Sequence, residues 1–188
     1  MQITVKYILP VALIATMVTG CHLLRTRHPA VLSDAQRIAA ITSISSTDKA
    51  RLTKLSLFTT PKEIKKITEE EMKFFIACIE SSMGKPDASD IMGMISQVVG
   101  SDQFEATGVP DERWIQLARI VLTSCEKAPN LTKELQNRHQ IDALRYASYV
   151  KNPSMLDVMK IYKGKMVNEK VERRLGKLLS QREGTSPL

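Results

Sequence analysis

Apolar residues along this chain recur mostly every three or four positions, the period of amphipathic helices, and capping residues mark where each run begins. Ser33 is placed to cap a short helix through "DAQRIAAITSI", and Thr47 a second through "DKARLTKLSLF". Thr60-Pro61-Lys62-Glu63 combines a cap, a first-position proline and a box glutamate, and Thr68-Glu69-Glu70-Glu71 repeats the box. The helix after Thr68 reads "EEEMKFFIACIESSM" and should stop at Gly84; its three leading acids suit the positive end of the helix dipole. Asp87 or Ser89 opens "DIMGMISQVV", which ends near Gly100, and "SDQFEATG" reads as loop. Pro110-Asp111-Glu112 starts a helix with the stripe Trp114, Leu117, Ala118, Val121, Leu122 and Cys125, closed by Pro129. Asn130 or Thr132 opens "LQNRHQIDALRYASYV", which ends at Lys151-Asn152-Pro153. A long charged helix over roughly 154–180, weakened by Gly164 and Gly176, precedes a frayed "REGTSPL" tail. No strand pattern competes and no internal repeat is present, so the expected fold class is all-α.

The N-terminus follows other rules. Lys6 and the free amine form a short positive region, and Tyr7 to Val18 an apolar run interrupted by Pro10. That run is shorter than the ~20 apolar residues a membrane-spanning helix needs, and it fits a cleavable secretory signal over residues 1–20. Its end, Val18-Thr19-Gly20-Cys21, resembles the lipobox of bacterial lipoproteins: a branched apolar residue, two small residues, then cysteine. The resemblance implies that the Cys21 sulfur takes a diacylglyceryl group, that the chain is cleaved before it, and that the new amine is acylated. Multiple acyl chains would hold the protein firmly, since each buried CH₂ contributes about 0.8 kcal/mol and one chain alone is marginal. In that family an aspartate after the cysteine retains the protein in the inner membrane. His22 stands there instead, so the expected location is the periplasmic face of the outer membrane, near peptidoglycan.

With Cys21 lipidated, Cys78 and Cys125 remain as an even pair in an oxidising compartment, which predicts a bridge between them. Counting both ends it would close 48 residues, worth about 3–4 kcal/mol by chain entropy; the alternative is two buried free thiols. Both cysteines fall on core-facing stripes, Cys78 beside Phe74, Phe75 and Ile79. The expected organisation is therefore a lipidated tether with short helices over 21–60, a disulfide-stapled helical bundle over 61–151, and a protruding charged helix with its tail over 152–188. Helix-borne cysteines so spaced make the architecture similar to small periplasmic acid-stress chaperones and to the pilotin lipoproteins of secretin systems.

Charge is segregated along the chain. Residues 22–66 carry net +6, residues 67–136 net −6, and residues 137–188 net +6. The basic flanks lack interleaved aromatics, and a periplasmic address removes nucleic acid as a partner; anionic headgroups suit them better, at ~1 kcal/mol per close charge, and the alternative is plain solvated helix faces. His22, His28 and His139 lie far apart, so no metal-ligand spacing is present and no metal or cofactor is expected. His139 reads as an ordinary surface residue on a polar helix face. One stretch, "IACIESSMGKPDASDIMGMISQ", resembles the catalytic region of lytic transglycosylases. Glu80-Ser81 matches their Glu-Ser pair, which would make Glu80 a general acid raised by burial; the plainer reading is a solvated residue near a helix end. Gly93-Met94-Ile95-Ser96 matches the following turn only in part, because Ser96 replaces glutamine, and the later Ala-Tyr-Asn-Ala-Gly motif is missing. The preferred expectation is non-enzymatic: an adaptor or assembly factor that binds a protein of a secretion, conjugation or pilus apparatus. Its recognition face would be the acidic middle segment or the basic C-terminal helix; Met83, Met92 and Met94 would offer an adaptable groove, though methionines at helical spacing more often pack as plain core. The alternatives are a peptidoglycan-acting enzyme using Glu80 and an immunity or exclusion lipoprotein.

Overall fold

In the computed structural model, residues 33–57, 65–99, 104–105, 108–129, 131–150 and 152–183 are described. Cys21 and the Thr60-Pro61-Lys62-Glu63 start signal lie outside them. The described residues form eight helices: α1 Asp34–Ala40, α2 Ser46–Leu57, α3 Glu69–Ser82, α4 Ala88–Val99, α5 Asp111–Lys127, α6 Lys133–Ser148, α7 Ser154–Ile161 and α8 Glu169–Glu183. The expected all-α class therefore holds. The strand content of the described residues is one parallel pairing of two residues each, β1 Lys65–Lys66 with β2 Phe104–Glu105; β2 lies in the stretch expected to be loop and β1 follows the helix-start signal at Thr60 to Glu63.

The helices begin where side chains satisfy the free N–H groups of a first turn. Thr68 Oγ1 accepts from the Glu71 amide at 3.2 Å, while the Glu71 carboxylate accepts from the Thr68 amide at 2.9 Å, a reciprocal box that starts α3. The Thr132 hydroxyl accepts from the Leu135 amide and starts α6. At α2 the cap is Ser45 rather than the expected Thr47. Its hydroxyl accepts from the Asp48 amide at 3.0 Å and donates to the Asp48 carboxylate at 2.6 Å.

Residues 1–35 and 36–188 separate as two units, and only 33–35 of the first are described. In the second unit α3, α4, α5 and α6 supply most of the core, with α5 packed on α3 and along α6. The Trp114 stripe is buried throughout, from Trp114 to Cys125. The apolar cluster reaches well beyond the expected 61–151 bundle. Ile41 and Leu52 enter it from the segment expected as a tether, and Val171, Leu175 and Leu179 from the segment expected to protrude.

Two features explain the extension. Asp87 accepts the backbone amides of Thr42 (2.7 Å) and Ser43 (2.9 Å), and Arg37 Nε donates to Asp90 at 2.8 Å, so the start of α4 holds the α1–α2 connection. At the other end, the single long helix expected over 154–180 breaks in two. Gly164 takes φ of +80°, a conformation that costs glycine little, and the Glu172 carboxylate accepts the amides of Gly164 (2.7 Å) and Met166 (3.2 Å). The turn lets α8 fold back onto α6 and α7.

The predicted Cys78–Cys125 bridge is corrected by the structure: both are separate buried thiols. The two helices do pack together, but the cysteines face different surroundings. Cys78 lies in the field of Asp48 and Arg51 on α2, and Cys125 in that of Asp142 on α6 and Glu126. Burial, followed by those carboxylates, pushes both thiols up to about 12. They pack as small apolar groups and are inert as thiolates.

Candidate functional site

Among the described residues, a group of buried and half-buried polar side chains lies between α4 and α6. On α4, Ser89, Gly93 and Ser96 follow one another at i, i+4 and i+7 and are half-buried, beside a fully apolar face of Ile91, Met92, Ile95 and Val99. On α6, His139, Asp142, Ala143, Tyr146 and Ala147 form an i, i+3, i+4, i+7, i+8 stripe, and all are buried. His139 thus belongs to the core stripe and is only 2% exposed, which corrects the expected surface placement. The signal was its spacing to Ala143, Tyr146 and Ala147.

Two hydrogen bonds cross the seam. His139 Nε2 shares a proton with Ser89 Oγ at 3.1 Å, and Ser96 Oγ donates to Asp142 Oδ2 at 2.7 Å. Burial drives the His139 imidazole down to about 4; Arg138 and Arg37 push the same way and Asp90 opposes them, so the ring is neutral at pH 7. Burial raises Asp142, opposed by the Ser96 bond and by Arg145, whose guanidinium lies 3.9 Å away. Tyr146 is pushed up by complete burial and by Asp142. Its ring lies 6.3 Å from Trp114, whose other neighbour, Tyr149 at 5.3 Å, is 45% exposed.

Ser89 and His139 have the contact of a nucleophile and its base, but the rest of that machinery is spent elsewhere. An imidazole that protonates only near pH 4 is a weak acceptor for a serine proton. The carboxylate that would orient it, Asp142, is engaged by Ser96 and Arg145. The seam therefore sets the alignment of α4 on α6 and makes their packing specific.

The residues singled out in the sequence do not converge. Glu80 is exposed near the C-terminal end of α3, without the burial a general acid needs, and Ser81 beside it is exposed as well. Gly93-Met94-Ile95-Ser96 is the middle of α4, not a turn. The three methionines take the plain core reading rather than the groove. Met92 and Met94 are buried in the core and Met83 is half-buried against it, because their spacing follows the apolar face of α4 and the end of α3. Among the described residues no group of three or more His, Cys, Asp or Glu is placed to hold a metal, and no helix is long and apolar enough to cross a membrane. Neither a family model, nor a curated protein, nor a solved structure matches this chain.

Proposed function

We propose that this protein is a lipid-anchored envelope adaptor: a helical unit tethered through acylated Cys21 to the periplasmic face of the outer membrane, where it binds and helps assemble a protein component of a secretion, conjugation or pilus machine. The order Val18-Thr19-Gly20-Cys21 behind a charged and apolar leader carries the reading. It is supported by a fold whose polar clusters are used for packing: Ser89 with His139, Ser96 with Asp142, and Asp87 with the Thr42 and Ser43 amides. The protein contact would fall on the acidic middle segment, where Glu70, Glu80, Glu112 and Glu126 are exposed. Exposed Tyr149 would serve as an aromatic anchor, since large rigid side chains dominate contact energies.

The test is crosslinking in intact cells, followed by affinity purification of the tagged protein and mass spectrometry of what accompanies it. A single dominant component of an envelope machine is the expected result. Recovery of bulk lipoproteins alone, from cells in which such a machine is assembled, would overturn the adaptor role.

A further inference from the structure

Helix α8 separates its charges by flank. Val171, Leu175 and Leu179 form the buried stripe that packs against α6 and α7. On one side of that stripe lie the acids, and two of the three are turned to the protein: Glu172 accepts the Gly164 and Met166 amides, and Glu183 pairs with Lys160 of α7 at 3.1 Å. On the other side lie Lys170, Arg174 and Lys177, with Arg173 between them and Glu169, all four cations exposed. Lys170, Arg174 and Lys177 fall at i, i+4 and i+7, a straight row about 10 Å long on the helix surface. Of the four cations only Arg173 has a carboxylate within 4.0 Å among the described residues, Glu169 at 3.8 Å, and both ends of that pair are largely in water. Glu172 is thus used in the C-terminal turn, Glu183 pairs with α7 and Arg182 donates to the Ala147 carbonyl, while Lys170, Arg174 and Lys177 form a one-sided row of cations directed at solvent.

We infer that this row is a binding surface for the anionic phospholipid headgroups of the bilayer to which the protein is tethered. A flat array of phosphates suits a straight row of exposed cations on a rigid, packed helix. The absence of any aromatic residue from Glu169 to Glu183 removes the stacking platform a nucleic acid would need. The row would lay α8 along the membrane and leave the acidic middle segment to a partner. The inference rests on the membrane placement proposed above, but the two fail separately, because the row is tested without the acyl chains.

The full chain carrying Cys21→Ser is mixed with phosphatidylcholine vesicles and with mixed phosphatidylcholine–phosphatidylglycerol vesicles, and bound protein is measured by sedimentation. Any contribution of the apolar leader is common to both vesicles, so the preference for the anionic ones reads the charges. The preference should be clear in low salt and fall steeply in molar salt, where screening shortens to about 3 Å. Each close cation contributes about fivefold, so Lys170→Gln, Arg174→Gln and Lys177→Gln together should reduce binding to the anionic vesicles roughly a hundredfold. A control of equal net charge, Lys54→Gln, Lys127→Gln and Lys133→Gln at exposed positions elsewhere, should keep most of the preference. Circular dichroism of both triple variants should match the parent. Equal binding of the parent to both vesicles would overturn the inference. So would equal losses in the two triple variants, which would reduce the effect to net charge, or loss of a crosslinked protein from the row variant with no lipid preference in the parent.

Discussion

Replacing His139 by glutamine should make the protein less sensitive to mild acid, by an amount that follows from the seam. The imidazole, normally titrating near 6.5, is held down to about 4 by burial and by Arg138, with Asp90 opposing. At pH 5 the unfolded chain therefore binds a proton at this site that the folded chain refuses. Stability from this group is fully present above about 6.5 and is lost as pH falls toward 4. Between pH 7 and 5 the loss is about 2 kcal/mol, and by pH 4 about 3 kcal/mol. Asp142 works with the opposite sign: its raised carboxyl takes up a proton more readily when folded, so its contribution grows as pH falls. Subtracting the variant removes this and every other common term. Glutamine can still hydrogen-bond Ser89 and fills much of the same space. Urea denaturation of both proteins at pH 7, 6 and 5 is the assay, and the gap between them should shift by about 2 kcal/mol in favour of the variant across that range. A gap that stays constant with pH would refute the burial of His139.

Three further outcomes test the rest of the fold. Cys78 and Cys125 should resist a thiol reagent in the native protein and both react once it unfolds without reductant; a Cys78–Cys125 linked peptide in a non-reducing digest would contradict their separate placement. Asp87→Asn should cost about 1–3 kcal/mol in chemical denaturation, because the Thr42 and Ser43 amides lose a charged acceptor. Those amides outweigh the effect of burial and hold Asp87 below the usual carboxylate range, so its contribution should fade in strong acid. Leu175→Ala should cost about 2–5 kcal/mol, since Leu175 is fully buried; no change would mean that α8 does not dock.

The helices most legible in the sequence are those with both a cap and a continuous stripe. Thr68 with Glu71 and the Trp114–Cys125 stripe needed only local chemistry, and both appear as written. What the sequence concealed depends on partners distant along the chain. Ser45 and Thr47 are both competent caps, and the choice turns on Asp48 returning the bond to Ser45. The Gly164 break needs Glu172, eight residues on, to accept two amides, a contact that only forms once α8 has turned back. His139 looked polar because histidine and aspartate weakened the apolar pattern of α6, although their spacing to Ala143 and Tyr146 already marked a buried face. Cysteine parity was suggestive but carries no geometry: two stripes can both face a core and still turn their sulfurs toward different neighbours. Glu80 follows its plainer reading as a solvated residue, since a Glu-Ser dipeptide at a helix end says nothing about whether the carboxyl is covered.

The proposed role stands or falls first on Cys21. The protein extracted from membranes with detergent, digested and analysed by mass spectrometry, should yield an N-terminal peptide that begins at Cys21, with a diacylglyceryl thioether and an acylated amine. An N-terminal peptide that retains residues before Cys21, or begins there with an unmodified thiol, would contradict the anchor and with it the adaptor at the membrane.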